Sequence, residues 1–209
     1  KLGIKESPTN GFHSQFSNNA DTTKWVMIDL GEPKLFDQIE ILPAYPTDFT
    51  DTPGFGFPIR FKIEASNVKD FSTSDFVFDA TKSDFANPST IPLAVSLNDK
   101  EKFQFIRFTA TKLWDRGDSK FLFALGEMNV TSNGKIISKS ANASSSDSIN
   151  GGRWHEKFLV DGFTSRLAVT KIANYFQRYS PSADAQAAIT KKRTQLQKLM
   201  GAAVGAELQ

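Results

Sequence analysis

The 209-residue chain has no cysteine, so neither a disulfide framework nor thiolate chemistry is open to it. Histidine is almost as scarce: with His13 and His155 alone, zinc centres and Ser-His-acid triads lack parts. No Gly-rich phosphate loop precedes a helical pattern, which removes nucleotide chemistry. No apolar run reaches the roughly eighteen residues of a membrane helix, so no transmembrane segment is expected. The opening Lys1-Leu2-Gly3-Ile4-Lys5-Glu6 lacks the apolar core of a signal peptide. A strong charge of one sign is also missing: 25 basic and 23 acidic residues leave +2. With no field to steer the protein onto phosphate backbones, nucleic acid is not an expected partner.

What is present is apolar and aromatic. Hydrophobic residues make up 39% of the chain and nineteen are Phe, enough to build a packed core without staples. From Trp25 to Val130 the apolar residues come in short alternating or clustered runs bounded by Gly, Pro, Asn and Asp, the pattern of short strands in an all-β domain. Strands are expected over Trp25–Leu30, Phe36–Leu42, Ile59–Ala65, Phe76–Ala80, Phe103–Thr111 and Phe121–Val130. Ile59, Phe61, Ile63 and Ala65 alternate strictly with Arg60, Lys62 and Glu64, which gives that strand one core face and one wet face. Phe103, Phe105, Ile106 and Phe108 do not alternate, so a bulge or burial on both faces is expected there.

Between the second and third strands, Tyr45 to Pro58 is rich in Pro, Gly and aromatic residues and cannot be regular structure. A long loop in a small domain is commonly functional, and its aromatics argue against disorder. From Gly134 the composition turns small and polar through Ser138–Ser148, which reads as a linker or edge strand, and Arg153–Gly162 reads as a short packed element. From Leu167 the spacing is helical, with Ser182 capping a second helix whose Ile189, Leu196, Leu199, Met200 and Ala203 share a face. Its opposite face carries Lys191, Lys192, Arg193 and Lys198, which reads as a solvated basic face, with partner binding as the alternative. The helical pattern runs to the last residue without a terminator, so a piece of a longer protein is expected.

Two blocks carry a family resemblance. Thr23-Lys24-Trp25-Val26-Met27-Ile28-Asp29-Leu30-Gly31, followed by Phe36–Ile41, resembles the discoidin signature of a Thr-x-Trp before a strand ending Asp-Leu-Gly. Phe105-Ile106-Arg107-Phe108 with Trp114, then Phe123-Ala124-Leu125-Gly126-Glu127-Met128-Asn129-Val130, resembles the closing strands of the same family, the discoidin or coagulation factor five-eight type C domains, which are galactose-binding-like. The resemblance implies a jelly-roll β-sandwich of about eight strands over residues 1–135, with a ligand site in the loops at one end. A linker over 136–166 and a C-terminal α-helical segment over 167–209 would follow. Animal members usually carry a cysteine near each end of the domain, so its absence points to the bacterial, carbohydrate-associated branch. Gly54–Phe61 with Lys112–Arg116 and Leu159–Gly162 also resembles a region ahead of catalytic domains in secreted bacterial glycan-degrading proteins, including α-L-rhamnosidase-like hydrolases. Leu159-Val160-Asp161-Gly162 with Thr164 resembles the opening of a second discoidin repeat.

A sugar site needs an aromatic plate for the apolar face of a pyranose and a few polar groups for its hydroxyls. The candidates are Tyr45, Phe49, Phe55, Phe57 and Trp114 as plates, with Asp48, Asp51, Arg60, Asp115 and Arg116 as polar partners. The competing reading is that the aromatics pin the long loop onto the sandwich. The resemblance also implies a structural calcium ion on oxygen ligands, for which Asp21, Thr23 and Glu127 stand in matching positions. The expected function is a non-catalytic carbohydrate-binding module of a larger secreted, periplasmic or cell-surface protein, with glycans and the parent's other domains as partners. The alternative is a structural domain that braces a glycoside hydrolase and binds nothing itself.

Overall fold

A strand with one apolar face must cover it, and among the described residues nine of thirteen short strands do so by pairing into two antiparallel sheets laid face to face. The computed structural model describes residues 7–49, 51–97 and 101–165. The strands are β1 (Phe12–His13), β2 (Lys24–Lys34), β3 (Gln38–Leu42), β4 (Arg60–Ser66), β5 (Asp75–Ala80), β6 (Leu93–Ser96) and β7 (Phe103–Lys112). They continue as β8 (Trp114–Asp115), β9 (Phe121–Leu122), β10 (Ala124–Leu125), β11 (Glu127–Ser132), β12 (Lys135–Ile136) and β13 (Asn142–Ser145). One sheet has the order β13-β2-β7-β4-β5 and the other β12-β11-β3-β6, while β1 pairs with β10 and β8 with β9 in two short ribbons. The architecture is an all-β jelly-roll sandwich.

Phe61, Ile63 and Ala65 of β4 are fully buried between the sheets, as the alternation requires. Phe61 stacks on Phe108 at 4.7 Å, and Phe108 on Phe123 at 5.3 Å, so an aromatic column runs through the core. The other face of β4 is not simply wet. Glu64 is buried there between Lys62 and Arg107, with Ser74 donating to it. Burial alone would raise its carboxyl, but those hydrogen bonds outweigh burial and hold it below the ordinary range. The irregular β7 shows both expected features. Its pairing with β2 shifts register between Asp29 and Lys34, and Phe105 lies on the outer face with Met27 and Phe71 while Ile106 and Phe108 face the core.

The stretch 136–166 is not a linker: of the two readings of Ser138–Ser148 the structure shows the edge strand, and Arg153–Gly162 is the packed element expected. Residues 142–145 pair with β2 as β13, Ser138 is fully buried and donates to Met128 while accepting from the Val130 N–H, and Leu159 and Val160 complete the main core. A buried Lys24 reaches Asp147 at 2.6 Å and the Gln15 carbonyl at 2.8 Å. Ser165 Oγ donates to the Asn10 carbonyl and accepts from the Tyr45 N–H, and Arg153 joins Thr47 to the Ser7 carbonyl. The stretch that resembled the opening of a second repeat is therefore built into this same sandwich, whose boundary is not at residue 135. The helices expected over 167–209 lie outside the described residues. Among the described residues no helix is long and apolar enough to cross a membrane.

Candidate functional site

The long loop after β3 is folded back on itself by local chemistry. The Phe55 N–H donates to the Ala44 carbonyl and the Phe57 N–H to that of Gly54. Gly56 sits at φ +69°, where a side chain is strained, and a Cβ there would lie 2.6 Å from the Ala124 methyl. This close approach puts Phe55 and Phe57, which flank Gly56, at 4% and 2% exposure. Phe57 packs in the main core against Phe61, Phe85 and Phe108, so it is a core residue and not the sugar plate expected of it.

Phe55 is the hub of a second cluster. Phe49, in the 3-10 turn Thr47–Phe49, stacks on it at 4.9 Å and 23°. Trp114 of β8 approaches it at 5.2 Å, His13 of β1 at 5.7 Å and Trp154 at 5.9 Å. His13 also meets Trp154 and Phe16 edge-on, each at 5.3 Å. Phe16 and Phe49 are 44% and 42% exposed, and Trp114 and Trp154 are half-buried. Phe55 is thus not itself a plate; it is the floor on which partly exposed rings stand.

The polar groups divide. Arg116 is exposed, with its guanidinium 5.2 Å from the Phe16 ring centre and only a 3.8 Å contact to Asp118. Asp115 is exposed and caps its own turn by accepting from the Gly117 N–H. Asp48 and Asp51 are exposed on the loop. Tyr45 is half-buried, its N–H held by Ser165. Arg60 is engaged elsewhere, donating to Asp84 at 2.6 Å beside Lys112, and makes no described contact with the aromatic cluster, which corrects its expected role. The His13 Nδ1 lies against the Ser14 carbonyl, which can only accept, so Nδ1 carries the proton and Nε2 a lone pair. Burial, with help from Arg116 and Lys24, lowers the His13 pKa and keeps the ring neutral.

Sequence reasoning named Phe49, Phe55, Trp114 and Arg116 of this cluster and missed His13, Phe16 and Trp154. Phe16 was visible as a lone aromatic residue in the polar run Ser14–Asp21. Trp154 was visible as a Trp following Gly151-Gly152, but it falls where a linker was expected.

The expected cation ligands are not together either. Asp21 and Thr23 are exposed before β2, whereas Glu127 is 1% exposed and is acted on by Asp161, Gly162 and Lys139. Glu127 Oε1 accepts from the Gly162 N–H at 2.9 Å, and its Oε2 has no donor. Asp161 beside it accepts from Thr9 Oγ1 and the Phe163 N–H, each at 2.8 Å. Burial and then the neighbouring Asp161 push the Glu127 carboxyl up to about 9, and burial also raises Asp161. A buried and a half-buried carboxylate with one oxygen unpartnered fit a hard cation or a shared proton. Among the described residues no third acid or imidazole joins them, so carbonyls and the Thr9 hydroxyl would have to complete any shell.

No protein-family model matches this chain, and no curated protein does. Among solved structures, it is similar to a carbohydrate-binding module from a family 31 glycoside hydrolase of Clostridium perfringens, at 18% identity and TM-score 0.41 over 61% of this chain and 85% of that one. A family 32 carbohydrate-binding module from the same organism, in complex with galactose, matches at 18% identity and TM-score 0.40 over 56% of this chain and 73% of that one. A fucose-binding module of Streptococcus pneumoniae matches at 16% identity and TM-score 0.37, covering 63% and 82%.

Proposed function

We propose that this protein is a non-catalytic carbohydrate-binding module of a larger secreted bacterial glycan-degrading protein, with its site on the aromatic cluster around Phe55. The observation that carries the reading is the grouping of Phe16, Phe49, Trp114 and Trp154, all partly exposed, on a buried floor with a lightly engaged Arg116 at the edge. Partly exposed aromatics clustered at one place, with a neutral imidazole acceptor and a guanidinium beside them, suit the alternating apolar and hydroxyl surfaces of a sugar. A shallow site of this kind binds weakly, and the parent's other modules would supply avidity.

A structural calcium ion held by Glu127 and Asp161, with Thr9 nearby, belongs to the same proposal. Such an ion would leave both carboxylates charged and tie the segment that carries Trp154 to β11.

The test is a glycan array probed with the whole chain and with Trp114→Ala and Arg60→Ala. We expect selective binding that falls about tenfold or more in Trp114→Ala and persists in Arg60→Ala. A folded chain that binds no glycan would favour a structural brace for a glycoside hydrolase domain. Phe76 and Ile91, 64% and 68% exposed and outside the cluster, are the observation that supports that second reading.

A further inference from the structure

We infer that the aromatic site takes a stretch of oligosaccharide rather than a single terminal sugar. The inference rests on the carbohydrate-binding reading above and specifies the class of glycan. Four rings follow one another, Phe16, His13, Phe55 and Phe49, with successive centres 5.3, 5.7 and 4.9 Å apart. Among the described ring pairs Phe16 meets only His13, and Phe49 meets only Phe55, so the two ends do not fold back on one another. The middle rings are each 4% exposed and the end rings more than 40%.

A pyranose is about the size of one aromatic ring, so a single sugar cannot cover both Phe16 and Phe49. Whichever end it left uncovered would keep an exposed Phe in water, whereas a chain of sugars buries both. Polar groups stand at each end to meet hydroxyls: Arg116 lies over Phe16, and the exposed Asp48 shares the 3-10 turn of Phe49. Trp154 flanks the middle, packed on both His13 and Phe55, where it can bear on a central sugar.

The experiment is calorimetric titration of the whole chain with the mono-, di- and trisaccharides of galactose, fucose, glucose and glucosamine. For a sugar that binds, the trisaccharide is expected to bind about tenfold or more tighter than the monosaccharide, on the scale of one or two added ring contacts. In Phe16→Ala and Phe49→Ala, both at exposed positions, that ratio should fall toward one, while Phe76→Ala keeps it. Equal affinity for one sugar and three overturns the inference and leaves the carbohydrate reading standing, and the length series on the unaltered chain decides this even if a variant fails to fold. A length gain kept in both Phe variants also overturns it. No binding to any of the probes overturns the inference and the carbohydrate reading together.

Discussion

Two buried titratable residues give this protein opposite pH responses. The Glu127 carboxyl is raised from 4.5 to about 9 in the fold, so between those values the folded chain holds a proton that the unfolded chain has released. Its contribution to stability is therefore fully present below about pH 4.5 and is lost as pH rises toward 9. His13 is lowered from 6.5, and its contribution is lost as pH falls below 6.5 through the folded value. In chelator, urea denaturation should show stability declining from pH 7 to 9, a slope that Glu127→Gln removes and the native chain retains. Calcium should raise the melting temperature of the native chain and flatten the same slope, because a bound cation stabilises the charged carboxylates. No melting shift with calcium would remove the ion from the proposal. Glu127, at the start of β11, was legible from the sequence as a candidate ligand. Its partner Asp161 was not, because only the packing of a later segment against β11 brings it there.

At the scale of elements, composition left Ser138–Ser148 open between linker and edge strand, because pairing and not hydrophobicity holds the chain there. β13 is Asn-Ala-Ser-Ser, with no strand-forming side chain to announce it. It is a strand because β2 offers an open edge and because Lys24 and Asp147 join the two segments at 2.6 Å. Lys24 is 4% exposed, so Asp147→Ala leaves a buried ammonium with only the Gln15 carbonyl. We expect it to cost about 3 kcal/mol of unfolding free energy, on the scale of breaking a buried ion pair, as read by urea denaturation. A loss under about 0.5 kcal/mol, within the range of surface substitutions, would mean that β13 is held by its backbone alone. The strands dense in apolar residues, β2, β4 and β7, fell within a few residues of their expected places. The short edge strand β6, with only Val95 buried, was passed over for want of a second inward residue.

For the molecule as a whole, near-neutral charge and a site built of rings lead to one expectation. Binding to neutral oligosaccharides should hardly change between low and high salt, because little of it comes from long-range charge. Titration across ionic strength checks this, and a steep fall with salt would point to an anionic glycan bound through Arg116. The absence of cysteine was enough, without coordinates, to exclude thiol chemistry, and the spacing of apolar residues to determine an all-β domain, while the sandwich was implied by the family resemblance. The first two depend on residue type and local period, which a sequence states directly. Which aromatics became floor, core or surface was decided only by tertiary structure. Phe49, Phe55 and Phe57 look alike in the chain, and what separates them is how the Gly56 backbone presses against Ala124. The same holds for His13 and Trp154, which meet only because a segment from the far end of the sandwich closes beside its first strand.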